Sequence, residues 1–557
     1  MRQMLMSRSA VVGAVLTAAV GVLLGSIRIA GQPPEKAISL TPLGVYRTGL
    51  FDKGGSEIAA YDPATRRVFT VNLDGKRIDV IDISTPSAPF LTHTIDITPW
   101  GSQANSVAVH DGVLAVAVEA AVKTNPGKAV FFNAFGGLLA SVTVGALPDM
   151  LTFTPNGQLV LVANEAEPNS YGFLDSADPE GSVSIIDVSE GVASLTQADV
   201  TTAGFRAFNG TTLDPSIRIY GPGATVAQDL EPEYIAVSHD SKTAWVTLQE
   251  NNALGIIDLK EKRVTKLVGL GFKNHNVTGA GMDSSDRDNH TNAIEPRPVL
   301  GMYQPDGIST VQFRNRTYLL LANEGDVREW KGVAQAGVDN ANANTEARRV
   351  SALTLDTGAF PNAATLIGNA VLGRLNVTMY KGNTDGDPAF EQLYSFGARS
   401  FSVRDEEGRL VFDSGDALEQ LIKLRNPAYF NANHTNNVNT GNPNDWTHDS
   451  RSDDKGPEPE NVTVAKLFGR DFAFVVLERI GGVVIYELVD PTRPTFVDYV
   501  NPRVFGVAAE SAAAEDLGPE GVIVVQAEDS PNGKPLLIVA NEVSGTTRIY
   551  EIAQVKK

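Results

Sequence analysis

Leu147-Pro148-Asp149-Met150-Leu151-Thr152-Phe153 opens a phrase that recurs seven times along this chain of 557 residues. Each copy has an acidic or small residue, a short β-rich run, a second run ending near Asn or Glu, then a third. Four further copies begin with Pro and an acid, at Pro232-Glu233, Pro305-Asp306, Pro459-Glu460 and Pro519-Glu520, and two weaker ones open at Ser56-Glu57 and Asn105-Ser106. Fixed-period repetition means stacked supersecondary units, none of which can bury its apolar face alone. The second runs are the clearest, for example Leu159–Ala163, Ala244–Leu248, Tyr318–Ala322, Phe472–Leu477 and Leu536–Ala540. Third runs are expected at Ile78–Ile83, Val130–Asn133, Val183–Val188, Leu254–Leu259, Val350–Leu355, Val483–Leu488 and Thr547–Ile552. β-Branched residues in alternation, punctuated by Gly, Asn, Asp and Pro, mark strands and turns.

Four short antiparallel strands in each of seven units predict an all-β, seven-bladed β-propeller over residues 39–554. The last unit stops after its third strand, and Leu40–Thr48 can supply the fourth, so that an N-terminal strand closes the last blade. Such pairing removes an exposed edge. A pair of β-sandwiches is the alternative, which sevenfold recurrence disfavours.

Strand direction then locates the chemistry. In an antiparallel blade the start of strand one and the end of strand two share an edge. Asp149, Glu233, Asp306, Glu460 and Glu520 open first strands, while Glu165, Glu250, Glu324, Glu478 and Glu542 close second strands. Both sets are expected around one mouth of the central channel, a ring of oxygens suited to a hard cation. The competing reading is turn chemistry, with these side chains holding loop amides. Insertions at 166–181, 203–231, 271–304, 326–348 and 373–458 are expected on the same face.

Three insertions carry recognisable patterns. Asn383, Asp385 and Asp387, followed by Glu391, resemble a shortened calcium loop, interrupted by Pro388. Asp283, Asp286 and Asp288 form a second oxygen-rich loop around Arg287. Arg451, Asp454 and Lys455 lead to Glu460, mixing cations and carboxylates as a metal-assisted phosphate site would. Arg399 and Arg479 are candidate anion binders. No histidine pair has zinc spacing, His290 and His275 included, and no nucleophile elbow or phosphate loop is present.

A net charge of −20 argues against nucleic acid and against an anionic membrane surface. The absence of cysteine removes disulfides, thiolate metal sites and a thiol nucleophile. Arg2 and Arg8 precede an apolar run from Ala10 to Leu24, so residues 1–30 read as a secretory signal, with an uncleaved N-terminal anchor as the alternative. A periplasmic, extracellular or cell-surface location follows.

Several longer stretches resemble the choice-of-anchor I family, which is similar to mesenchyme-specific cell-surface glycoproteins. They include Leu230-Glu231-Pro232-Glu233-Tyr234, Ser452-Asp453-Asp454-Lys455-Gly456-Pro457-Glu458-Pro459-Glu460, Leu477-Glu478-Arg479-Ile480-Gly481-Gly482 and Ala527-Glu528-Asp529-Ser530-Pro531. The resemblance spans about residues 39–554. It implies an alkaline-phosphatase-like activity in some members and association with biomineralisation in animal relatives. Members often carry Asp-Thr-Asp-Gly-Asp-Gly where this chain has Asn383 first and Pro388 after Asp387. The chain ends at Lys557 without a sorting tail, so a released protein, or one held by its N-terminal segment, is expected.

Two functions are therefore expected to compete. One is an exported propeller binding a divalent cation, calcium first, and an extracellular or surface ligand at its acidic mouth. The other is a metal-dependent phosphoesterase using Asp454, Glu460, Arg451 and Lys455.

Overall fold

The computed structural model describes residues 37–171, 173–289, 291–330, 344–435 and 447–555. The expected signal segment and His290 lie outside them, as do parts of the insertions 326–348 and 373–458.

Among the described residues, seven sheets each contain four antiparallel strands. Strand order follows the chain in six of them, for instance Pro148–Phe153, Leu159–Asn164, Ser182–Asp187 and Val200–Gly204. In the last sheet Ile38–Arg47 lies beside Thr546–Gln554, paired from Ile38 with Gln554 to Arg47 with Thr546. The first strands of successive sheets touch in turn, and Pro519–Val525 of the last touches Ala59–Asp62 of the first.

Alternation explains how the sheets pack. Successive residues of a strand point to opposite faces. Phe472, Phe474 and Val476 pack with Leu537 and Val539 of the last sheet, whereas Ala473, Val475 and Leu477 pack with Leu320 and Val403 of the preceding one. Apolar clusters of this kind join each sheet to the next. Another joins the last to the first through Leu536, Ile538, Val68 and Ile81. Strands buried on both faces carry near-continuous apolar runs, which is why the second strands were the most legible.

The fifth sheet departs from the sequence reading. Its third strand is Ser400–Asp405, paired with Arg316–Asn323, not Val350–Leu355. Val350–Ala352 is a single 3₁₀ turn, and Thr354–Leu355 pairs in parallel with Ala389–Phe390. The insertion between second and third strands thus extends from Glu324 to Arg399. Its Val350, Leu355, Phe360, Leu366, Leu372, Leu375 and Val377 form a core apart from the seven sheets, joined by Met282 and Val299 of the preceding insertion, and its apolar alternation serves that core. A five-stranded sheet built from Phe272–Asn274, Leu300–Met302, Tyr394–Ser395, Asn376–Thr378 and Ala347–Arg349 links it to the insertion before the fifth sheet. No helix among the described residues is long and apolar enough to cross a membrane.

Candidate functional site

The Pro-acid phrase is a β-bulge. Pro148 pairs with Asn164 but Leu151 with Val162, so Asp149 and Met150 together oppose Ala163. The same shift follows Pro232, Pro459 and Pro519, and occurs between Ala104 and Ser106. Glu57 and Ile58 bracket Val71, and Asp306 and Gly307 bracket Ala322, through equivalent backbone bonds of 2.9–3.2 Å. A bulge kinks its strand and re-aims a side chain, and it tolerates Pro, which has no amide to donate. After the acid the chain approaches its neighbour closely. The Gly521 amide donates to the Glu57 carbonyl at 3.1 Å, and a Cβ on Gly521 would stand 2.6 Å from that oxygen.

The re-aimed acids converge. A cavity of about 280 Å³ is lined by Glu57, Glu119, Asp149, Glu165, Asp306 and Glu520, with Gln103, Asn105 and Tyr234. Glu165 also borders a wider cavity of about 740 Å³ lined by Glu167, Glu250, Asp326, Arg328, Asn376, Asp454, Lys455 and Arg479. Insertion residues thus meet strand-end acids at this second cavity.

The acids group in threes whose ligand oxygens lie within 4.8 Å of one another: Glu165–Glu233–Glu250, Asp306–Glu460–Glu520 and Glu324–Glu458–Glu478. His434–Glu478–Glu542 forms a fourth, mixed group. Burial pushes Asp306, Glu460 and Glu520 well above the ordinary carboxylate range, and neighbouring acids push them further. Burial likewise raises Glu165 and Glu233 strongly, brings Asp149 and Glu250 to about 7, and brings Glu542 to about 8. Oε2 of Glu233, Glu250 and Glu460 is buried without a hydrogen-bond partner.

The third group carries its own counter-ions. Lys455 bonds to Glu324 and lies 3.2 Å from Glu458; Arg451 reaches Glu458 at 2.7 Å and Arg479 at 2.9 Å. Burial raises Glu458, yet Arg451, Lys455 and Arg479 outweigh it and hold the carboxyl far below its usual value. Glu478 is lowered in the same way, against burial, by Arg479 and His434. For Glu324 burial prevails over Lys455 and leaves it at about 7.

The remaining sequence-derived candidates scatter. Asp454 pairs with Arg451 at 3.0 Å at the wide cavity. Arg399 lies outside both cavities, buried against Glu419 at 2.8 Å and donating to the carbonyls of Asp283, Ser452 and Asp454. Asp385, Asp387 and Glu391 do group, on the surface, but they and Asn383 also close turns: Asn383 accepts from Gly386 at 2.8 Å and Asp387 from Ala389 at 2.6 Å. Asp283, Asp286 and Asp288 do not act together. Asp286 pairs with Arg374 at 2.9 Å and with Arg287, and Asp288 bonds Thr291.

Sequence reasoning missed Glu458, although Pro457-Glu458 repeats the Pro-acid pair one step before Pro459-Glu460. It also missed His434, and Arg328, which joins Asp229 at 3.0 Å and Glu231 at 2.8 Å. Neither has a local signal, because their partners lie on distant loops.

Residues 57–491 match the choice-of-anchor I domain. Gigasin-3a of Magallana gigas is 31% identical over 191 residues, 33% of this chain and 66% of its own length. The mesenchyme-specific cell surface glycoprotein of Strongylocentrotus purpuratus is 25% identical over 278 residues, 47% of this chain and 35% of its own. The chain thus spans less than two thirds of either relative. Among solved structures, the Myceliophteria thermophila Cps50 (Swd1) beta-propeller domain superposes with a TM-score of 0.42 at 9% identity, covering 92% of this chain and all (100%) of its own. Streptogramin B lyase gives 0.43 at 9% identity, with 93% and 98% covered.

Proposed function

The chain belongs to the choice-of-anchor I family, and on that premise we propose that it is an exported, surface-associated β-propeller that binds calcium in its acidic channel and an extracellular or surface ligand at the mouth. The seven four-stranded sheets are its blades, and the N-terminal strand closes the seventh. The observation that carries the reading is the group Asp306–Glu460–Glu520, which lacks the protein cations given to Glu324–Glu458–Glu478, and second to it Glu165–Glu233–Glu250, where Arg328 partly offsets the burial of Glu250. Carboxylates packed together in a buried channel must bind protons or a cation, since burying several like charges is prohibitive. Oxygen-only ligands favour a hard cation over zinc or copper. The name of the sea-urchin relative supports the surface location.

Calcium titration of the purified, chelator-stripped chain by calorimetry tests this. Binding that weakens in Glu233→Gln and Glu460→Gln is expected, and absence of calcium binding sinks the proposal. The phosphoesterase alternative draws on the cations beside the wide cavity. Arg451, Lys455 and Arg479 are, however, already engaged by Glu458. In the same preparations, phosphate-ester turnover abolished by chelation and by Asp454→Asn is the result that turns the reading toward an enzyme.

A further inference from the structure

The narrower cavity, of about 280 Å³, is rich in acceptors and poor in donors. Among the described residues its lining carries six carboxylates and no lysine, arginine or histidine. Its amide donors are already engaged. Gln103 Nε2 donates to Asn105 at 3.3 Å and to Glu119 at 3.2 Å, and Asn105 Nδ2 donates to the Pro148 carbonyl at 3.0 Å. The carboxylates of Glu57 and Asp149 have neither a hydrogen bond nor an ion pair among the described residues. Directly behind the lining, Oε2 of Glu460 and Oε2 of Glu233 are buried with no hydrogen-bond partner, each residue being 7% exposed. A carboxylate oxygen of Glu460 lies within 4.8 Å of Asp306 and Glu520, and one of Glu233 within 4.8 Å of Glu165, all three of which line the cavity. Buried acceptors without partners are rare in folded proteins and mark a missing donor or ion.

Two features set this cavity apart from a seat for a single metal ion. Its acids are spread out: Glu57, Glu119 and Asp149 belong to no trio of ligand oxygens within 4.8 Å, unlike Asp306 and Glu520 with Glu460. It also has an apolar wall, since Ile58, Leu73, Leu147 and Met150 line it beside the acids. The bulges bring the two together. Glu57 with Ile58 opposes Val71, and Asp149 with Met150 opposes Ala163, so each bulge delivers an acid and an apolar side chain to the same space. A volume of about 280 Å³ is close to the ~300 Å³ at which small-molecule sites begin.

We propose that this cavity receives a primary alkylammonium group, with the nitrogen at Glu57 and Asp149 and the methylene chain against Ile58, Leu73, Leu147 and Met150. The proposal rests on the reading of the acidic mouth as a ligand site and gives that ligand its chemistry. An ammonium brings three donors and no acceptor, which matches carboxylates whose neighbouring donors are engaged elsewhere. Its hydrogen bonds to carboxylates are charge-assisted, stronger than those of a neutral hydroxyl. The alkyl chain covers the apolar wall while the charged end stays among the acids. A hydrated divalent ion satisfies the acids but leaves that wall wet. A free diamine and the side chain of a lysine in a partner protein both carry this group.

Calorimetric titration of the whole purified chain in calcium chloride tests this, with cadaverine and Nα-acetyl-lysine amide as probes and 1,5-pentanediol, the neutral counterpart of cadaverine, for comparison. Amine binding without diol binding is expected, and Asp149→Asn and Glu57→Gln should each weaken it about tenfold or more. Glu460→Gln, which removes a carboxylate from the calcium group, should keep amine binding, so the two sites are read apart. Binding of cadaverine alone assigns the cavity to a free diamine, and binding that extends to the lysine derivative assigns it to a protein side chain. Calcium binding with no amine binding overturns this proposal and leaves the calcium reading standing. Equal binding of the diol, or an amine affinity unchanged in both variants, overturns it as well. The comparison of amine with diol needs no variant and decides the matter if neither substituted chain folds.

Discussion

Glu324–Glu458–Glu478 and Asp306–Glu460–Glu520 are each three carboxylates whose oxygens crowd together, yet their electrostatics are opposite. The first is threaded by Lys455, Arg451 and Arg479, and Glu458 stays ionised below its ordinary range. The second has no protein cation among its close partners, and all three of its acids are pushed upward. One is a finished ion network and the other an unmet demand for positive charge. The chain places them two residues apart, so that Glu458 serves a structural clamp while Glu460 belongs to the group proposed to seat a cation.

The largest expected effect breaks the finished side. Lys455→Met leaves Glu324 and Glu458 buried with a partner removed, and should destabilise the chain by ~3–5 kcal/mol in chemical denaturation. A loss below ~1 kcal/mol would mean that Arg451 and Arg479 suffice alone. On the other side, Glu460→Gln removes repulsion. The chelated variant should be more stable than the chelated parent by about 1–2 kcal/mol, while its calcium affinity falls by about tenfold or more with one charged ligand lost.

The pH response sharpens the same contrast. Unfolded carboxylates release protons near their ordinary values, whereas Asp149 holds its proton to about 7 and Glu542 to about 8. The folded state therefore binds more protons across that interval. In the chelated chain the stability that these two groups contribute is fully present below pH ~4 and is lost as pH rises from there through 7 to 8. Calcium should flatten the profile, read as melting temperature against pH with and without the ion. The smallest effect belongs to the exposed loop: Asp387→Ala removes one turn hydrogen bond, to the Ala389 amide, and should cost about 1 kcal/mol or less without altering channel binding.

Legibility followed locality. The Pro-acid openings could be read because a bulge tolerates a residue without an amide donor and re-aims the side chain that follows it, all within three positions. The second strands could be read because burial on both faces leaves a continuous apolar run. Val350–Leu355 misled because the insertion has a core of its own, and alternation reports burial without saying against what. The true third strand, Ser400–Asp405, carries Ser400, Ser402 and Arg404 between its apolar residues and so looks weaker. The pairing of cations with acids was beyond reach: Lys455 and Glu324 are 131 residues apart, and which acids stay unpaired depends on where the loops land.

The pairing of Ile38–Arg47 with Thr546–Gln554 sets an order of events during synthesis. Thr48 and Gly545, 497 residues apart, share a hydrogen bond at 2.9 Å, so the earliest strand waits for almost the whole chain before it finds its partner. Contacts of such separation form late. Until then the second-last strand and the first each present an open edge, and a chain cut short by ten residues keeps both open permanently. A variant that lacks Thr546–Gln554 should therefore be the aggregating form, because Ile38–Arg47 and Leu536–Asn541 both pair with that strand.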